Sequence, residues 1–147
     1  MGVGLEALRP FSSLGARRVC GRRRVGGDYA RAINAAKIGL GLLSKRFPET
    51  TTTRTFEIPG CGTFLLAERS LHHQELYKEG HEAEFFGSPD EMVEKINHYL
   101  ANPVRRLKIA AAGHQRCIVS GYSNRHRIRK VLDIVENLYG RAQQNFA

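Results

Sequence analysis

The chain of 147 residues has no apolar run near the roughly 18 residues that a membrane-spanning helix needs, which excludes an integral membrane helix. It has few cysteines. Cys20, Cys61 and Cys117 are odd in number, widely spaced and form no Cys-x-x-Cys pair. That pattern argues against a disulfide scaffold or a zinc finger and fits a reducing, cytoplasmic setting. The histidines do not converge with carboxylates at ligand spacing, so no metal site is expected. The first apolar stretch is too short and too broken by charge for a secretory signal. Glu6 stands where a myristoylated chain needs Ser or Thr. Internal repeats are absent. Acid is scarce at the start: residues 1–46 carry ten basic and two acidic groups, whereas residues 47–147 carry thirteen and twelve. The formal net charge of +9 therefore sits almost wholly at the N-terminus.

What is present begins with that basic segment, residues 1–26. Arg17, Arg18, Arg22, Arg23 and Arg24 are punctuated by Gly15, Gly21, Gly26 and Gly27. The run reads as a solvated, poorly structured tail. A nucleic-acid arm and an Arg-rich transit peptide are the alternatives. The segment lacks the interleaved aromatics of a base-stacking surface, which makes a nucleic-acid partner the weaker reading.

From Gly27 to the end, short apolar runs alternate with helical patterns. Asp28 is placed to cap a helix over 29–37. Ile38–Leu43 and Thr63–Ala67 read as buried strands, and Ala83–Phe86 as a third. Helices are expected over 54–60, 71–78, 88–101, 103–119 and 123–139. Ser88, Pro89 and Glu91 form an N-terminal signature of cap, first-turn proline and capping-box acid. His72 and His73 read as surface residues of their helix. Strands of continuous apolar character separated by helices specify an α/β fold, a doubly wound, Rossmann-like parallel sheet with a helical C-terminus. Ligands bind such sheets at the carboxyl ends of the strands, which singles out the loop after Leu43 and the turn after Ala67.

The stretch richest in chemistry is Glu49–Glu68. Glu49 and Glu57 are separated by seven residues, and five threonines, Arg54 and Phe56 lie between them. An ionised carboxylate accepts hydrogen bonds at two oxygens and so suits a ribose diol. Arg54, one helical turn before Glu57, suits a phosphate, as do the amide groups of that helix. An intrahelical Arg54–Glu57 surface pair, contributing a few tenths of a kcal/mol, is the reading that spacing alone favours. On these residues alone both readings stand.

The string Arg54-Thr-Phe-Glu57-Ile-Pro-Gly-Cys-Gly-Thr-Phe-Leu-Leu-Ala-Glu68 resembles the signature of the CgeB-like (spore maturation) glycosyltransferases, group-1-type enzymes of GT-B fold. Gly27–Ala30, Ile33–Leu40, Glu79-Gly80, Glu84–Phe86, Leu100–Pro103, Ala112–Arg116 and Tyr122-Ser123 with His126-Arg127, read as tying down the last helix, agree with it in order, so the likeness covers about residues 27–140. It implies the C-terminal, donor-binding half of such an enzyme. Glu57 then binds the ribose of a nucleoside-diphosphate sugar, and Glu49 is the catalytic-position acid beside the donor sugar. Arg54 helps hold the diphosphate, Thr55 belongs to the same donor-binding group, and Lys45 and Arg46 add positive charge. Cys61, in the Gly60–Gly62 turn, is read as packing. The reaction implied is sugar transfer to an acceptor that the sequence does not identify. No cofactor or metal is required, and retention at the anomeric carbon is favoured. A GT-B site closes between two domains, so a lone donor half is expected to need a separate acceptor-binding domain or subunit. A non-enzymatic nucleotide- or anion-binding module or a truncated remnant is the alternative, and nucleic-acid binding through the Arg-rich start is the third.

Overall fold

The structure, a computed structural model, describes residues 26–144. The basic N-terminal segment, with Cys20 and the arginine run, lies outside the described residues apart from Gly26. The elements run α1 (Gly27–Asn34), β1 (Ile38–Gly41), α2 (Arg54–Gly60), β2 (Phe64–Glu68), α3 (Leu71–Leu76), β3 (Glu84–Phe86), α4 (Pro89–Ala101), α5 (Pro103–Val119) and α6 (Asn124–Gln144). The three strands form one parallel sheet in the order β1-β2-β3. Ile38 is registered against Phe64, and Leu66 against Glu84.

The period-2 geometry of β2 splits the core in two. Leu65 and Ala67 point to one face and pack with Ile58, Tyr77, Ala83 and Phe85. Phe64 and Leu66 point to the other and pack with Phe86, Tyr99, Ile109 and Ala110. Helices thus cover both faces of the central strand, which is why its sequence is a continuous apolar run. This is the α/β architecture that the alternating pattern specifies, finishing in three helices.

Local chemistry explains most boundaries. Ser88 Oγ accepts the Glu91 amide at 3.2 Å, Pro89 opens α4, and Glu91 Oε2 accepts the Gly87 amide at 2.7 Å. Gly62, at φ +77°, makes the left-handed turn that returns α2 into β2. Gly113 of α5 lies directly against the Glu82 carbonyl, where any Cβ would collide. Arg116 Nε donates to the Leu76 carbonyl at 3.0 Å and holds α5 to the same connection.

Several sequence expectations are corrected. α1 begins at Gly27, so Asp28 lies in its first turn and pairs with Arg31 at 2.5 Å instead of capping the helix. β1 stops at Gly41 and is one of the two outer strands of the described sheet, only partly buried; Leu40 is 38% and Leu42 53% exposed. Gly39 leaves one face of β1 to Ile58, whose branched side chain takes the room a Cβ would need. α3 ends at Leu76, two residues early, because Tyr77 turns to extended backbone. His73 is buried completely, not on the surface. α6 is exposed throughout its described side chains, and Ile128, Val131, Leu132, Val135 and Leu138 face solvent. No helix among the described residues is long and apolar enough to cross a membrane.

Candidate functional site

The segment before α2 is held by a chain of hydroxyls and one imidazole. The Thr52 amide donates to Thr55 Oγ1 at 3.1 Å, and Thr55 Oγ1 lies 2.8 Å from His73 Nε2. His73 Nδ1 is 2.6 Å from the Glu68 carbonyl, which only a protonated Nδ1 can satisfy. Nε2 therefore accepts the Thr55 hydroxyl proton. Burial lowers the His73 pKa and keeps the ring neutral, outweighing the Glu68 contacts that raise it. The Tyr77 hydroxyl completes the clamp by donating to the Thr55 carbonyl at 3.0 Å. Thr55, grouped by sequence with the ligand-binding residues, is fully buried, and its hydroxyl is committed within this chain. Its place is to fix α2.

On the outer side of α2 lies a cavity of about 310 Å³ between α2 and the start of α6. Thr51–Thr53, Phe56 and Glu57 form one wall, and Tyr122, Asn124 and Arg127 the other. Glu57 is half-buried and accepts the Tyr29 hydroxyl proton at 2.8 Å on Oε2. That bond to Glu57, with some burial and the carboxylate charge, raises the Tyr29 pKa, while Arg54 opposes the rise. The Arg127 guanidinium lies 4.8 Å over the Phe56 ring, and Phe56 meets Tyr122 edge to face at 5.5 Å. Thr52, which also lines the cavity, carries a buried hydroxyl oxygen with no hydrogen-bond partner. Arg54 is exposed and makes no ion pair with Glu57 among the described residues, so the surface-pair reading of that spacing does not describe this geometry. Cys61 has its pKa raised by burial and then by the Glu57 charge, so it stays a thiol and not a nucleophilic thiolate.

A second cavity, of about 330 Å³, opens at the carboxyl ends of the strands between Leu42, Lys45, Glu68, Arg69, Phe86 and Met92. Lys45 contacts Glu68 at 2.5 Å, and Arg69 is shared between Glu79 and Glu91. Behind it Lys95 bonds Glu84 at 2.7 Å and Glu79 at 3.1 Å, and Tyr99 donates to Glu84 at 2.5 Å. Burial pushes the Tyr99 phenol up to about 12, helped by that carboxylate. On the loop between β1 and α2, Glu49 accepts the Ser44 amide at 2.9 Å, and Arg46 packs over Phe47.

The structure thus divides the residues singled out by sequence. Glu57 lines the α2–α6 cavity, with Arg54 on the same helix. Lys45 lines the strand-end cavity, Arg46 and Glu49 lie on the loop beside it, and Thr55 is inside the fold. Sequence reading missed Tyr29, Asn124 and Arg127 as site residues, because only the folded chain brings α1 and α6 to α2. Among the described residues no group of three or more His, Cys, Asp or Glu is arranged to hold a metal ion.

The parallel sheet thus carries helices on both faces, and Glu57 of α2 and Arg127 of α6 meet at one cavity. Residues 5–133 match the model of the glycosyl transferase-like family, and the chain belongs to that family. Among solved structures, the crystal structure of Anabaena Alr3699/HepE in complex with UDP-glucose is similar, with a TM-score of 0.56 and 18% sequence identity. The match covers 76% of this chain and 31% of that one, and at this identity it speaks for the fold. No curated protein matches the sequence.

Proposed function

We propose that this chain is the donor-binding part of a glycosyltransferase that takes a nucleoside-diphosphate sugar. The observation that carries the reading is the Glu57 carboxylate on the wall of the α2–α6 cavity, bonded among the described residues to a neutral phenol and facing Arg127 across the cavity. Glu57 accepts the ribose hydroxyls, and Arg54 and Arg127 neutralise the diphosphate. The unpartnered Thr52 hydroxyl gains a phosphate or ribose oxygen. Glu49, on the loop leaving β1, lies toward the transferred sugar, and Lys45 and Arg46 add positive potential there. As the bond to the anomeric carbon breaks, charge grows on the leaving diphosphate, and fixed cations lower the barrier most at that moment. The HepE crystal structure, which holds UDP-glucose, supports this ligand class. Within the family, the Arg54–Glu68 string supports a CgeB-like member, with an acceptor-binding domain or subunit completing the site. The free thiols of Cys61 and Cys117 support a reducing, cytoplasmic setting.

Isothermal titration with uridine, adenosine and guanosine diphosphates tests the site. Glu57→Ala and Arg54→Ala are each expected to weaken the best ligand by about tenfold, the loss typical of a charge-assisted hydrogen bond. Unchanged affinity in both variants refutes the site. Release of free sugar or its transfer to an added glycan separates an enzyme from a module that only binds.

A further inference from the structure

Tyr29 lies on α1, 28 residues before Glu57, and its hydroxyl meets Glu57 Oε2 at 2.8 Å in a half-buried setting. Two further bonds fix α1 where this contact requires it. Asn34 Nδ2 donates to the Cys61 carbonyl at 2.6 Å, and Thr63 Oγ1 donates to the Ile33 carbonyl at 2.8 Å. The end of α1 is therefore tied to the turn that follows α2 without Tyr29 having to supply the tie alone. A phenol that donates to one carboxylate oxygen fixes the plane of the carboxylate and leaves Oε1, and a second lone pair of Oε2, for incoming hydroxyls. It also spares the site the entropy of freezing a mobile glutamate when ligand binds.

The geometry points to Tyr29 as a positioning residue that sets the Glu57 carboxylate for a vicinal diol, so that this site discriminates ribose from sugars lacking that diol. This assignment rests on the donor-binding reading of the α2–α6 cavity. Tyr29 acts through Glu57 and is not itself catalytic. The phenol pKa, raised chiefly by the bond to Glu57, agrees with donation to an ionised carboxylate.

The test compares uridine diphosphate with its 2′,3′-dideoxy analogue by titration calorimetry on the whole chain. Tyr29→Phe is expected to weaken uridine diphosphate by about fivefold, the effect of one ordinary hydrogen bond, and to change the dideoxy analogue by less than about twofold. A tyrosine that only staples α1 to α2 lowers the melting temperature and treats both nucleotides alike, and that result overturns the assignment. Loss of affinity in Glu57→Ala with full affinity in Tyr29→Phe also overturns it and leaves the donor reading intact. Unchanged affinity in Glu57→Ala overturns the assignment as well, and unchanged affinity in Arg54→Ala beside it overturns the donor reading too. A ligand-free measurement is independent of these: the Tyr29 ring carbon, followed by NMR, is expected to titrate at lower pH in Glu57→Gln than in the parent. Identical titration in the two proteins removes the contact and the inference with it.

Discussion

The two cavities differ in what their charges are bonded to. At the strand ends Lys45 faces Glu68, Arg69 faces Glu79 and Glu91, and Lys95 faces Glu79, Glu84 and Glu91. Each cation there already has an anion. Between α2 and α6, Glu57 has a phenol for a partner and Arg127 has an aromatic face. Opposite charges face one cavity without neutralising each other in a salt bridge. The strand-end cations are already paired within the fold, whereas the α2–α6 charges are the ones left over for a ligand in the reading proposed above. Position at the carboxyl ends of the strands is the usual guide to a ligand site in such sheets. Here the state of the charges discriminates more finely than position does.

The sharpest way to break this contrast is to remove Lys95. Glu84 is buried and Lys95 half-buried, and the ammonium is held above its usual range because its bonds to Glu84 and Glu79 outweigh the burial that would lower it. Lys95→Met leaves a buried carboxylate with only Tyr99, and urea unfolding is expected to show a loss of about 3 kcal/mol. Nucleotide affinity, measured under folding conditions, is expected to stay within about twofold of the parent, since a structural pair alone is lost. Arg127→Ala is the converse case. It removes a cation–π contact contributing about 1 kcal/mol to stability, and titration with a nucleoside diphosphate is expected to show about a tenfold weaker site.

Acid probes the hydroxyl–imidazole chain behind α2. His73 has a lower pKa in the folded protein than the ordinary 6.5, so the unfolded chain binds the proton more readily. Its contribution to stability is complete above the ordinary histidine value and is lost as pH falls below it toward the folded pKa. Melting temperatures recorded from pH 8 to about 5 are expected to fall more steeply in the parent than in His73→Gln, which does not titrate there. The smallest effect belongs to Lys45→Ala. Its ammonium is 80% exposed, and an exposed pair of this kind contributes under about 1 kcal/mol, so the melting temperature is expected to move by only a few degrees.

The sequence made the core legible because β2 is buried on both faces and its pattern carries little else. Ser88, Pro89 and Glu91 announced α4 for a similar reason: a cap is a local arrangement, and local arrangements leave local signals. β1 was misjudged because Ile38-Gly39-Leu40-Gly41 has the composition of a buried strand, while edge position is decided by which strands pair beside it. His73 was misjudged because six residues of α3 are too few for a period to show which side faces Thr55. Of the site, Glu57 and Arg54 were legible from their motif. Arg127 was not, because it reaches Phe56 across 71 residues of chain and no spacing rule spans that distance.

Gly113 has a consequence for the order in which the protein opens and closes. Its bare backbone receives the Glu82 carbonyl, and three residues on Arg116 grips the Leu76 carbonyl. The Lys78–Glu82 turn is itself closed by paired bonds, the Glu82 amide to the Lys78 carbonyl and the Lys78 amide to Glu82 Oε2, each at 2.8 Å. Helix and turn are keyed to each other, and neither attains its final form while the other is open. Amide hydrogens of α5 and of this turn are therefore expected to exchange with solvent through one shared opening, a single cooperative unit whose contacting residues, Glu82 and Gly113, lie 31 apart in sequence.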